Sequence, residues 1–192
     1  MERKAMEDLR RWQASAVRKP LVLRGARQVG KTWLMKEFGR SCYEDFAYFN
    51  FDEDTSLSSI FETNKEPQRL VELLSMIAGK KIEPQKTLLI FDEIQECPAA
   101  LNALKYFKEK ANDYSVISAG LAQPKSYPVG MVNLLDIEPL TFAEFLAAAE
   151  PALHAYYESI QKGQTIEAIF HERLLEAYDY YLIIGGMPEC VA

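Results

Sequence analysis

Arg24-Gly25-Ala26-Arg27-Gln28-Val29-Gly30-Lys31-Thr32-Trp33, "RGARQVGKTW", puts a flexible backbone and one lysine between two ordered runs. Before it stands "PLVLRG", Pro20 to Gly25, short and continuously apolar in the manner of a buried strand. After it, Thr32 to Phe38 has helical spacing. Within it, Gly25 to Thr32 fits the pattern G-x-x-x-x-G-K-[ST]. The glycines let successive N–H groups turn toward one anion. The helix that follows offers its unpaired N-terminal N–H groups and the positive end of its dipole. In that geometry Lys31 reaches the β- and γ-phosphates of a nucleotide and the Thr32 hydroxyl meets Mg²⁺. The competing reading is a chance turn, which the strand before and the helix after argue against.

Working outward, the same alternation continues. "FAYFNFD" (Phe46 to Asp52) reads as a second strand and Pro67 to Ala78 as a helix stopped by Gly79. "KTLLIFDEI" (Lys86 to Ile94) is a third strand, and Pro98 opens a helix that runs through Lys110. Tyr114 to Gly120 and Val132 to Ile137 are the fourth and fifth strands. Helices are expected near the N-terminus (Met1 to Ser15) and over Thr141–Ala149, Pro151–Gln161 and Thr165–Tyr181, with Thr141 and Glu144 as a capping box. Strands alternating with helices imply an α/β fold with a five-stranded parallel sheet covered on both faces.

The third strand ends in Asp92-Glu93. Ligands of open α/β sheets bind beyond the carboxyl ends of the strands, so an acid pair there faces the same crevice as the glycine loop. Asp92 suits support of Mg²⁺, and Glu93 suits polarising a water for attack on the γ-phosphate. A solvated strand end is the bland alternative. Ser118 ends the fourth strand, where it either touches the γ-phosphate or the attacking water, or is an ordinary buried serine with a hydrogen bond. Arg24 and Arg27 flank the loop and contact phosphate, water or a carboxylate partner; Asn50, at the end of the second strand, is a weaker candidate. The candidate sets are therefore Glu93 and Lys31 for catalysis; Gly25, Arg27, Gln28, Val29, Gly30, Lys31, Thr32, Trp33 and Ser118 for nucleotide; and Thr32 and Asp92 for metal.

Composition narrows the class. The chain has 192 residues, 48 % of them apolar, enough for a folded core. A net charge of -6 does not favour non-specific nucleic-acid binding. The basic residues gathered at the start (Arg3, Lys4, Arg10, Arg11, Arg18, Lys19) read as a solvated helix face. No apolar run approaches the roughly 18 residues of a membrane span, and the N-terminus lacks a signal-peptide core. Three unpaired cysteines, Cys42, Cys97 and Cys190, suit a reducing cytoplasm. His154 and His171 lie away from them, so no zinc site is expected.

Taken together, "RGARQVGKT", "LLIFDEIQECP", "EPLTFAEFL" and "YYLIIGGMPECV" resemble the prokaryotic AAA-type ATPases with an uncharacterised C-terminal domain, relatives of the AAA-plus and archaeal ATPase groups. The resemblance covers nearly the whole chain. It implies an additional-strand P-loop fold, with the fourth strand between the glycine-loop strand and the acid-pair strand. By motif match it makes Lys31 and Thr32 nucleotide and Mg²⁺ ligands, Asp92 the Walker B aspartate and Glu93 the catalytic glutamate. It implies ATP and Mg²⁺ as cofactors, with a homo-oligomer or another protein supplying an arginine. Adenine over guanine follows from the family alone; no N-K-x-D guanine signature is present.

The chain departs from the family's pattern in three places. Met131 follows Gly130 where a basic residue is usual. The stretch after "VISAG" is short, which leads to an expectation of missing residues between Gly120 and Leu121. The chain also stops just past "GGMPE", where the C-terminal domain would begin. The expected organisation is a nucleotide-binding domain over 1–140 and a helical, lid-like segment over 141–192. The two leading functions are ATP hydrolysis and a slow nucleotide-dependent switch. A small-molecule kinase is the poorer third, since no acceptor-site motif is visible.

Overall fold

A computed structural model describes residues 3–120, 128 and 130–188. The elements run α1 (Ala5–Ala14), β1 (Leu21–Arg24), α2 (Lys31–Cys42), β2 (Asp45–Asn50), α3 (Leu57–Thr63), α4 (Pro67–Ala78), β3 (Thr87–Asp92), α5 (Pro98–Lys110), β4 (Ser115–Gly120), β5 (Asn133–Asp136), α6 (Phe142–Ala149), α7 (Pro151–Ser159) and α8 (Ala168–Ile184). The strands form one parallel sheet in the order β2-β3-β4-β1-β5. β4 thus lies between β1 and β3, as the resemblance implies. The junction between Gly120 and Leu121, Glu189 of "GGMPE" and Cys190 fall outside the described residues.

Both faces of the sheet are dry because the central strands are apolar on successive residues. On one face Leu21, Leu23, Leu88, Ile90, Ile117 and Ala119 pack against Leu9 and Trp12 of α1 and Leu34, Met35 and Phe38 of α2. On the other, Val22, Leu89, Phe91 and Val116 pack against Leu57 and Phe61 of α3, Leu70 and Leu74 of α4, and Leu104 and Phe107 of α5. Phe91 is the hub there, with ring contacts to Phe49, Phe51, Phe61 and Phe107. Register follows from this alternation, since a one-residue slip would exchange the two sets.

Beyond β5 the chain builds a smaller core from Phe145, Leu146, Leu153 and Ala177. α6 opens with the expected capping box: Thr141 Oγ1 accepts from the Glu144 backbone N–H and the Glu144 carboxylate accepts from the Thr141 N–H. The end of α8 returns to the main body. Leu140 N–H donates to Gly186 O at 2.7 Å, and Tyr181 OH donates to Leu140 O at 2.8 Å. A Cβ built on Gly186 would meet Leu140 O at 2.4 Å, so only glycine fits at this join. Among the described residues no helix is long and apolar enough to cross a membrane.

Candidate nucleotide-binding site

The carboxyl ends of β1 and β3 meet the N-terminus of α2 around a cavity of about 850 Å³. The loop from Gly25 to Gly30 forms one wall. Gly25 is required by close approach, because a Cβ there would stand 2.3 Å from Ile137 O. Gln28 takes a left-handed backbone with φ 65°, and Gly30, the N-cap of α2, has φ 85°. Val29 is fully buried and anchors the loop in the core. The turn is therefore held from below while its upper edge (Arg27, Gln28, Gly30) lines the cavity.

Lys31 is nearly buried. Its ammonium bends back over the loop and donates to Gly25 O at 3.1 Å and Ala26 O at 2.6 Å. Burial pushes its pKa below the ordinary lysine value, while the carboxylates of Glu93 and Asp92 partly offset that and Arg27 adds to it. A desolvated cation with only carbonyl partners is poised for a more strongly charged acceptor.

Thr32 Oγ1 donates to Asp92 Oδ2 at 2.6 Å, joining the loop to the end of β3. Asp92 is 2 % exposed and accepts twice more, from Tyr48 OH at 3.0 Å on Oδ2 and from the Glu93 N–H at 3.1 Å on Oδ1. With its proton committed to Asp92, the Thr32 oxygen keeps its lone pairs for a hard cation. This donor set fits Mg²⁺ arriving with phosphate oxygens. Among the described residues no group of three or more His, Cys, Asp or Glu would hold a metal by itself. Glu93 has a left-handed backbone, φ 49° and ψ 42°, which for a non-glycine costs about 1 kcal/mol or more. The turn aims its side chain into the cavity wall, where Gln95 Nε2 donates to its Oε2 at 2.5 Å.

The structure thus brings together Gly25, Arg27, Gln28, Val29, Gly30, Lys31, Thr32, Asp92 and Glu93, and Trp33 lines the cavity one residue further along α2. It does not bring Ser118 there: this side chain is fully buried and donates to Leu21 O at 3.2 Å. Arg24 forms a two-pronged pair with Asp136 at 2.8 and 2.6 Å. Asn50 caps a turn, accepting from the Asp52 N–H at 3.0 Å.

Five cavity residues are not among the candidates read from the sequence: Arg3, Lys36, Asp52, Glu96 and Pro188. Arg3 is 5 % exposed, unlike the solvated face expected of the basic N-terminus. It donates to Val29 O at 3.1 Å and Glu138 O at 2.7 Å, and its Nε lies 3.3 Å from Glu144 Oε1. Pro188 closes the cavity from the far end of the chain, next to Gly30. Lys36 and Asp52 complete the wall on the acid side. Arg3 and Pro188 are far in sequence from the loop they touch, so only the fold reveals them.

Residues 17–146 match the model of a family described as AAA domain. No curated protein matches the chain. Among solved structures, a STAND (signal transduction ATPase with numerous domains) protein with a tetratricopeptide repeat sensor from Pyrococcus horikoshii superposes with a TM-score of 0.52 at 16 % identity. That match covers 98 % of this chain and 28 % of the other. C. elegans PCH-2 gives 0.49 at 13 % identity, covering 86 % of this chain and 49 % of the other. AMPPCP-bound DnaA from Aquifex aeolicus gives 0.48 at 13 % identity, with coverages of 98 % and 57 %. The chain spans 28 % to 57 % of the length of these structures, and the likeness to the STAND protein speaks to the fold alone.

Proposed function

Because the chain belongs to the AAA domain family, we propose that it binds ATP with Mg²⁺ in this cavity and hydrolyses it. The observation that carries the reading is the Thr32 to Asp92 hydrogen bond, which joins the phosphate loop to the acid strand across the intervening β4. Loop N–H groups between Gly25 and Gly30 and the α2 N-terminus bind the phosphates. Lys31 releases its loop carbonyls and meets the β- and γ-phosphates. When bound, Mg²⁺ would neutralise charge building on the phosphates, held by the Thr32 hydroxyl with Asp92 behind it.

Glu93 orients a water and accepts its proton. Gln95 holds this carboxylate while no water claims it. Of the two carboxylates, only Glu93 has the freedom for this: Asp92 is buried and takes three donors, while Glu93 is partly exposed on the cavity wall. In this reading the helical segment from 141 follows nucleotide occupancy, supported by the contacts of Arg3 with Glu144 and by the Leu140–Gly186 join.

Glu93→Gln tests hydrolysis. The amide retains the contact size and loses the base, so ATP stays bound while turnover falls by about two to four powers of ten. Equal turnover in variant and wild type removes the proposed role. Binding of ATP with no turnover in the wild type favours the second reading, a nucleotide-dependent switch, in which Gln95 keeps its contact with the Glu93 carboxylate.

A further inference from the structure

Tyr48 belongs to β2, two residues before its end, and no feature of its sequence neighbourhood marks it as other than a strand aromatic. Its ring packs under the Lys36 ammonium at 3.6 Å, and its hydroxyl reaches Asp92 Oδ2 at 3.0 Å. The same oxygen accepts from Thr32 Oγ1 at 2.6 Å, and Oδ1 accepts from the Glu93 N–H. An ionised carboxylate offers about four lone-pair positions. Three are filled by protein donors, two of them on Oδ2.

We propose that Tyr48 is a positioning residue for the metal: with Thr32 it saturates Asp92 Oδ2, so that Asp92 presents a single remaining acceptor, on Oδ1, to the shell of a nucleotide-bound Mg²⁺. The inference rests on the ATP–Mg²⁺ reading above. Without the phenol, Oδ2 has a spare lone pair, and the carboxylate is free to rotate about the Thr32 contact. The acceptor aimed at the metal shell is then no longer fixed. Groups that orient metal-binding residues in this way are commonly worth 10 to 100-fold in metal affinity.

Three features set this apart from a tyrosine that merely satisfies its own hydroxyl. The acceptor is the acid of the site and not a backbone carbonyl. It is shared with the hydroxyl that faces the cation. The ring is clamped by Lys36, from the helix that carries Thr32 one turn earlier.

The test is calorimetry of AMPPCP binding to wild type and Tyr48→Phe, each in Mg²⁺ and in EDTA, with melting curves of both proteins without ligand. The expected result is equal affinity in EDTA and, in Mg²⁺, a loss of about tenfold or more in the variant. Replacement of Tyr48 by p-aminophenylalanine, which restores a donor at the ring tip, recovers most of that loss. A Mg²⁺ gain as large in Tyr48→Phe as in wild type overturns the proposal and leaves the nucleotide reading intact. An equal loss in EDTA and Mg²⁺, with a lowered melting temperature, also overturns it, as the mark of a purely structural tyrosine. No binding by wild type in either buffer overturns the nucleotide reading itself, and this inference with it.

Discussion

Replacing Lys31 by methionine removes a charge whose present partners are known. Its ammonium donates to two neutral carbonyls, Gly25 O and Ala26 O. Binding exchanges those for phosphate oxygens, and each contact between charged groups is worth about 1.5–3 kcal/mol. Two such contacts, less the two carbonyl bonds released, leave about 3 kcal/mol, or roughly 100-fold in affinity. At an ATP concentration 100 times the wild-type Kd, ligand stabilises wild type by about 2.7 kcal/mol and the variant by about 0.4 kcal/mol. For a chain of this size about 1 kcal/mol moves Tm by roughly 2–4 °C. Differential scanning fluorimetry should therefore show an ATP-induced shift of about 5–11 °C in wild type and about 1–2 °C in Lys31→Met.

Without ligand the two proteins should melt within about 3 °C of each other, because the lost carbonyl bonds are offset by relief of a desolvated charge. An ATP affinity in Lys31→Met within about threefold of wild type, against the ~100-fold expected, would refute the reasoning. It would show that the ammonium stays on the loop carbonyls when nucleotide binds.

Other outcomes follow from packing and charge. Gly186→Ala sets a Cβ against Leu140 O at 2.4 Å and Leu140 N at 2.9 Å. It should destabilise by about 1–3 kcal/mol, the usual cost of overpacking, and unchanged urea unfolding would show that the join is not rigid. Asp45 is held below the ordinary carboxylate value chiefly by the Lys80 hydrogen bond, with the Phe46 N–H assisting against burial. The Asp45 contribution is thus present above the unfolded value near 3.8 and is lost as pH falls through the folded one. In Lys80→Met an NMR titration should find the Asp45 pKa moved up toward its ordinary value; no movement would assign the effect to Phe46.

Where a chemical signal fixes a boundary, the chain is readable from sequence. α4 and α5 begin at Pro67 and Pro98 and end at Ala78 and Lys110, as expected from a proline at the first helical position and, for α4, a glycine after the last. α8 is different. It runs Ala168–Ile184 where Thr165–Tyr181 was expected, because apolar residues surround it: Ile169, Leu175, Leu182 and Ile183 are exposed, so periodicity supplies no edge. α3 escaped notice because seven residues show too little periodicity and no side-chain cap.

The site divides in the same manner. Lys31, Thr32, Asp92 and Glu93 carry local motifs; Lys31, Thr32 and Glu93 line one cavity, and Asp92 is bonded to Thr32. Arg3 and Tyr48 owe their places to chain crossings that only tertiary packing creates. Ser118 had two open readings. The register decides: paired beside Val22 and Phe91 in the centre of the sheet, it has a backbone carbonyl within reach.

The position of β4 has a kinetic side. β1 carries the phosphate loop and β3 carries the acid, but the two are never neighbours, and β4 alone holds them one strand apart. Neighbouring strands lie about 4.8 Å apart, so a chain in which β1 and β3 have closed on each other without β4 has its loop and acid at the wrong separation. Residues 115–120 must therefore slot in before Thr32 and Asp92 can meet, and Leu21 pairs with Ile117 across 96 positions of sequence. Contacts of such separation form slowly. In a refolding experiment, recovery of nucleotide affinity should trail recovery of helical signal, making that affinity a clock for the entry of β4 between β1 and β3.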